Sequence, residues 1–548
     1  MPKHHDIFEI NADQAQASHP MVPKHSTRVY LHHKPRYLTQ ILAALAISLG
    51  PFSAGLGKGY SSPAIASLHS LHIAPNIEVS EQEASWIASL SLGGAFFGAL
   101  FGGIAMKFGR RSVLLASAPP LSLSWVGTYL ATDTRTMFVT SFVGGFCCAI
   151  ILTVSQVYIV EISEPEIRGR LSAVLKIVNQ TGVLLSFAVG AVLNWRQLAF
   201  VVALAPAAFF AAVLALPETP SYLMLSGKHE EAKRSLRWLR ADTDILHELH
   251  SLRNNILVMQ TSTPHNSAPS ATGYVGTNTL GPHTSSYPFY GGQSGLHGGQ
   301  LSSAGGPTRL GGAGPLLHTS RAGATLSALF TKPALVCCAL VFFQRFSGTN
   351  AFNFYAVTTL SQTLINMNPH SGAVAVALVQ LIASLFSGIL VDTAGRLPLL
   401  IASSVFMSIS LAGFGSFCYY REHRRQFPSE VMSAVSGDSS GSGLDPDWIP
   451  LLCVLIFHIA FSLGISPISS LLIGELFPLE IRGLGSSLSM AFSYLCAFLV
   501  VKSFVDFKQM FAMSGTYWLY ACISLSGLCF IVCCVPETKG KDLDEMKG

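Results

Sequence analysis

The chain has 548 residues, half of them apolar and only 11% charged. A soluble domain of that length needs a shell of roughly 25% charged residues, so a mean hydropathy of +0.46 places most of the chain in lipid. The net charge of +5 is too small to suggest nucleic acid as a partner. The 11 cysteines, mostly inside apolar runs, show neither metal-ligand spacing nor a disulfide framework.

Residues 1–37 are polar and His-rich (His4, His5, His25, His32, His33). They read as a disordered cytoplasmic tail without a cleavable signal sequence. A bilayer crossing takes about 20 mostly apolar residues. Six such runs, at 38–60, 84–106, 112–130, 137–159, 171–193 and 198–216, predict a first six-helix bundle over 38–216. Residues 217–260 carry a helical charge pattern (Glu230, Glu231, Lys233, Arg234, Arg237, Arg240) that suits amphipathic cytoplasmic helices. The stretch 261–325 is rich in Gly, Ser, Thr and Pro. It lacks the apolar surface to offset the entropy of folding and reads as disordered linker. Six more runs, at 333–360, 371–391, 397–420, 449–473, 485–507 and 515–535, predict a second bundle over 326–535, and 536–548 form a tail. The expected class is an all-α membrane protein with twelve transmembrane helices in two pseudo-symmetric six-helix bundles. Lys107, Arg110, Arg111, Arg168, Arg170, Arg482, Lys539 and Lys541 fall on one side of that topology. Because retained loops collect Lys and Arg, both termini are expected in the cytoplasm; the basic loop after Tyr420 goes against the rule.

One pattern occurs twice. Glu161 is followed by Arg168-Gly169 after the fourth run, and Glu475 by Arg482-Gly483 after the tenth. Phe108-Gly109-Arg110-Arg111 is answered by Ala394-Gly395-Arg396, just after Asp392, and Pro217-Glu218-Thr219 by Pro536-Glu537-Thr538. Two repeated halves are a transporter architecture, and ion pairs at their shared end can close in one state and separate in the other. The predicted cytoplasmic gate is therefore Arg110, Arg111, Glu161, Arg168 and Glu218 in the first half. Asp392, Arg396, Glu475, Arg482 and Glu537 are its counterparts in the second. The bland alternative is that these charges anchor helix ends.

These residues, with Gln344-x-x-Ser347-Gly348-x-Asn350 and Pro536-Glu537-Thr538-Lys539-Gly540, resemble the sugar porters of the major facilitator superfamily over nearly the whole chain. Gly59-Tyr60-Ser61-Ser62-Pro63-Ala64, Phe461-Ser462-Leu463-Gly464 and Gly474-Glu475 are most similar to the insect facilitated trehalose transporters. The resemblance implies a major facilitator fold with a central site between the halves, where amides and aromatics hold sugar hydroxyls. It places Gln344, Arg345, Asn350, Gln380, Lys176, Ser470 and Ser493 at substrate-binding positions. Several depart from the family: Arg345 replaces the second Gln of a Gln-Gln pair, Gln380 an Asn, Ser470 a Trp, and Ser493 an Asn. Lys176 falls where glucose carriers have a sugar-binding Gln.

Lys58, Lys176 and Arg345 are cations inside spanning runs, where charges are costly and usually face a bundle interior or a wet cavity. They predict an anionic solute, or else Lys58 and Arg345 snorkel to an interface. Gly57 stands where proton-coupled relatives carry Asp, and no phosphate-binding loop of the G-x-x-x-x-G-K-[ST] type occurs. The reading is a facilitative carrier of a sugar, trehalose or glucose-like, in the plasma membrane. It is not an enzyme and needs no metal or cofactor; its oligomeric state is left open. The alternatives are a divergent carrier of an organic anion and a non-transporting sugar sensor.

Overall fold

The computed structural model describes residues 37–69, 79–240, 245, 248–250, 253, 332–364, 366–426, 448–476 and 482–535. The expected tail 1–37 lies outside them except for Tyr37, and the linker 261–325 and tail 536–548 lie outside them entirely. Six long helices form the first half: α1 (Leu38–His69), α2 (Glu81–Ala105), α3 (Arg110–Tyr129), α4 (Thr134–Ile162), α5 (Pro165–Gly190) and α6 (Trp195–Leu214). Two short helices follow, α7 (Pro220–Leu225) and the amphipathic α8 (His229–Arg240). The second half comprises α9 (Lys332–Phe346), α10 (Thr349–Thr363), α11 (Pro369–Ala394), α12 (Arg396–Gln426), α13 (Trp448–Leu463), α14 (Ile465–Leu476) and α15 (Arg482–Cys534).

Ten helices among the described residues are long and apolar enough to cross a membrane, with α9–α10 and α13–α14 each counted as one. The apolar part of α15 covers 48 residues, about 72 Å of helix against a hydrocarbon core of about 30 Å. It breaks at Ala512 (φ 59°, ψ −177°) and supplies two crossings. The Pro- and Ser-containing α3 is less apolar but packs between α4 and α6, and it completes the twelve.

Small residues set how closely these helices approach, since lipid gives no hydrophobic drive between them. On α4, a Cβ at Gly145 would lie 1.7 Å from the Ser91 carbonyl oxygen of α2, so only glycine permits that crossing. Within the halves α1 packs on α5, α2 on α4 and α3 on α6; between them α1 meets α10, α2 meets α15, and α5 meets α11.

Two runs expected as continuous helices are interrupted near the middle, which is where the halves face each other. The run 333–360 breaks at Gly348, whose left-handed backbone (φ 87°) suits a residue without a side chain. It kinks again at Tyr355 (φ −119°, ψ 21°), and the Val357 N–H donates instead to Ser62 Oγ on α1 at 2.9 Å. The run 449–473 breaks after Leu463. There Ser403 Oγ of α12 donates to Ala460 O (2.8 Å) and accepts from Ile465 N (3.3 Å), so the freed backbone groups are satisfied.

Candidate functional site

At mid-membrane, polar side chains from both halves form a connected network. Gln380 of α11 accepts from Gln180 Nε2 of α5 (3.4 Å), donates to Asn353 Oδ1 of α10 (3.0 Å), and lies 2.6 Å from His458 Nδ1 of α13. An amide nitrogen only donates, so Nδ1 accepts and the ring proton sits on Nε2. That atom is buried without a partner among the described residues, and the ring packs 5.0 Å from Phe352. One helical turn from Gln180, Lys176 Nζ reaches Ser470 Oγ of α14 at 3.3 Å, again across the halves. Arg345 Nε donates to Ser493 Oγ of α15 at 2.7 Å. Gln344 and Asn350 are only 7% and 5% exposed, and their amides make no hydrogen bond among the described residues.

The sequence-predicted binding residues thus fall into two kinds. Gln344 and Asn350 keep free amides, whereas Ser470 and Ser493 hold the ends of Lys176 and Arg345. Arg345 does not snorkel: it lies thirteen residues into α9, about 20 Å along the axis, and bonds inward. Asn353 and His458 were missed. Their only sequence signal is a lone amide or imidazole inside an apolar run. A separate concavity of about 440 Å³ lies against α11 and α13. Its walls, including Ile382, Phe386 and Ile459, are apolar and offer a sugar nothing to bond.

The membrane face where α2 ends and α3 begins (the motif end) is densely paired. Arg110 meets Glu161 at 2.7 Å, and its guanidinium lies 5.4 Å from the Tyr222 ring centroid. Glu218 accepts from the backbone N–H groups of Arg110 (3.0 Å), Arg111 (2.9 Å) and Ser112 (3.3 Å), so a carboxylate caps the positive end of α3. Arg111 donates to Val213 O and Leu214 O (3.4 and 2.9 Å), capping α6 in return. Arg168 donates to Ser163 O at 3.2 Å, and the Glu161 carboxylate is taken by Arg110. The side chains of Asp392, Glu475 and Arg482, and Glu537 entirely, lie outside the described residues. Arg396 opens α12 beside Gly395.

Further contacts there were not anticipated. Arg240 of α8 binds Glu248 (2.6 Å), Glu164 (3.3 Å) and Ile162 O (3.0 Å), tying α8 to the turn between α4 and α5. Gln40 and Glu164 exchange hydrogen bonds of 2.9 and 3.1 Å. Tyr37 OH donates to Glu166 at 2.6 Å. That bond pushes the phenol up to about 12 from its ordinary 10.0.

The opposite end was also silent in the sequence reading. There α15 grips the start of α2: Lys502 Nζ donates to Gln82 Oε1 (3.0 Å) and Ser85 Oγ (2.7 Å). Gln82 donates to Asp506 (2.7 Å), and Lys508 pairs with Glu81 (3.4 Å). Lys502 also sits 4.7 Å from the Trp86 ring centroid.

The sequence profile of the family described as "Sugar (and other) transporter" matches residues 43–276 and 317–548. The facilitated trehalose transporter Tret1 of Apis mellifera ligustica is 30% identical over 514 residues, 93% of this chain and 88% of that protein. Tret1 of Bombyx mori is 29% identical over 511 residues, 93% and 86% of the two chains. Among solved structures, the inward open conformation of the xylose transporter XylE from E. coli superposes with a TM-score of 0.65 at 20% identity, covering 92% of this chain and 99% of that one. That likeness establishes the fold alone.

Proposed function

We propose, from the premise that this chain belongs to the sugar (and other) transporter family, that it carries trehalose or a glucose-like sugar down its gradient by alternating access. Facilitative sugar transport is the function of such a chain, and the choice of sugar is our reading. The observation that carries it is the mid-membrane network that both halves build together, Gln180 to Gln380 and Lys176 to Ser470. A solute held there would contact both bundles, and rocking one against the other would expose it to each side in turn. Gln344 and Asn350 would supply amide hydrogen bonds to its hydroxyls.

Facilitation rather than proton coupling rests on the described acids, which lie at the two ends and leave none at the centre to take up a proton. The basic residues of the motif end support a cytoplasmic placement of that end, with both termini inside and the Lys502–Gln82 end outside, in the plasma membrane. Nothing in the network arranges a nucleophile with a base, so catalysis is not proposed.

The test is time-dependent uptake of labelled trehalose and glucose into vesicles containing the protein. Saturable uptake with counterflow is expected. Specific binding without flux would instead make the protein a sensor, and acidification of the vesicle lumen on uptake would overturn the uncoupled mechanism.

A further inference from the structure

Three cations surround the centre, and among the described residues no acid lies beside them. Lys58 of α1 lies twenty residues from one end of its helix and eleven from the other, so it sits well inside the membrane. It is close enough to Arg345 and to His458 to interact with both electrostatically, and its ammonium makes no hydrogen bond or ion pair among the described residues. The partners of the other two are neutral: Ser493 Oγ for Arg345 and Ser470 Oγ for Lys176. The described carboxylates lie elsewhere, among them Glu161, Glu164, Glu166 and Glu218 at the motif end and Glu81, Glu83, Glu422 and Asp506 at the other. Asp392 and Glu475 belong by position to the motif ends of α11 and α14.

A cation at this depth has lost most of its water, and a serine hydroxyl returns a hydrogen bond but no opposite charge. A protein that only needed these residues for structure would have no reason to gather three like charges. Elsewhere among the described residues, Arg110 pairs with Glu161 and Arg240 with Glu164 and Glu248, whereas the buried Arg421, nearer a membrane face, donates to Thr363 O. The two serines also stand where the family resemblance places a Trp and an Asn, and in each the vacated space receives the end of a long cation from another helix. These changes therefore act in pairs, Ser470 with Lys176 and Ser493 with Arg345, each exchanging a neutral sugar contact for a positive one.

We propose that the solute is a sugar bearing an acid group, a carboxylate or phosphate, whose anionic oxygens lie among Lys58, Lys176 and Arg345 while Gln344 and Asn350 hold its hydroxyls. The proposal rests on the sugar-carrier reading and narrows it. A guanidinium matches either oxyanion, and the two ammonium groups supply point charges.

The experiment measures initial uptake into vesicles of labelled glucuronate, glucose 6-phosphate, glucose, trehalose and succinate, by the wild-type chain and by Lys176→Gln and Arg345→Gln. Glucuronate or glucose 6-phosphate should enter faster than glucose or trehalose, and whichever enters identifies the acid group. Each Gln variant should lower that uptake about tenfold to a hundredfold, the range a charge-assisted hydrogen bond supplies. The charge-conserving Lys176→Arg and Arg345→Lys should retain more of it, which separates lost charge from lost folding. Uptake of glucose or trehalose with both sugar acids at background overturns the proposal and leaves the sugar carrier standing. So do Gln variants that improve neutral-sugar uptake without touching the acids. Succinate uptake without either sugar acid overturns the sugar part, and the absence of all flux overturns both readings.

Discussion

The two ends of the bundle use charge in opposite ways. At the motif end, Arg110 to Glu161, Glu218 to α3, Arg240 to Glu164 and Tyr37 to Glu166 all tie the first half to itself. At the other end, Lys502, Asp506 and Lys508 of α15 all bind α2 across the halves, beside ties within a half such as Arg196 to Ala131 O and Ser514 to Glu422. The first set staples one six-helix body together, and the second joins two bodies that must part for alternating access. Transport needs both, since rigid halves move as units only if their internal contacts outlast those between them.

The comparison breaks most severely at Arg110. Arg110→Ala strands the Glu161 carboxylate, one oxygen of which already lacks a partner, in a largely buried site. Removing one member of a buried pair costs about 3 kcal/mol. A lower thermal midpoint in detergent should accompany lost uptake; unchanged stability would mean the pair is a gate and not a staple. Next comes Gln380→Leu at the centre, which leaves Asn353 and His458 without their shared partner and removes the tie to Gln180. A cost of about 2 kcal/mol is expected, appearing partly as stability and partly as weaker sugar competition. If only stability falls, Gln380 belongs to packing and not to the site.

A smaller effect separates the two ends directly. Lys502→Ala removes two hydrogen bonds between the halves, worth about 1 kcal/mol, and should raise the population open at that end about fivefold. The readout is labelling of Ser62→Cys, buried where α1 meets Val357, by an impermeant maleimide. Faster labelling at unchanged thermal midpoint is expected, and a lowered midpoint without faster labelling would place Lys502 among the staples.

The frame was legible because hydropathy and a repeated motif are local signals, each readable in a window of about 20 residues. The pairings were not. Gln82 and Lys502 are 420 residues apart, and Gln380 and His458 are 78 apart; a lone Lys or His in an apolar run does not name its partner. Glu161 shows the same limit: its partner is Arg110, 51 residues away on α3. The break at Gly348 was not read from the sequence, which gave one continuous run, and its sequel, the Val357 N–H turned onto Ser62, depends on α1 approaching from the other half. The departures from the family at Ser470 and Ser493 were visible singly, and only the fold pairs them with Lys176 and Arg345.

The weakest staple gives the smallest effect and a defined pH window. Tyr37 is half-buried, and the hydrogen bond it donates to Glu166 exists only while the phenol is protonated. The bond raises the phenol from 10.0 to about 12, so the neutral form is favoured in the folded state. Its contribution is therefore full below pH 10.0 and fades as the pH rises through about 12. Tyr37→Phe should leave uptake unchanged and should flatten that part of the stability-against-pH curve relative to the wild-type chain. Equal slopes would mean the bond is absent in the membrane, and a loss of uptake would move Tyr37 from the stapled body to the moving interface.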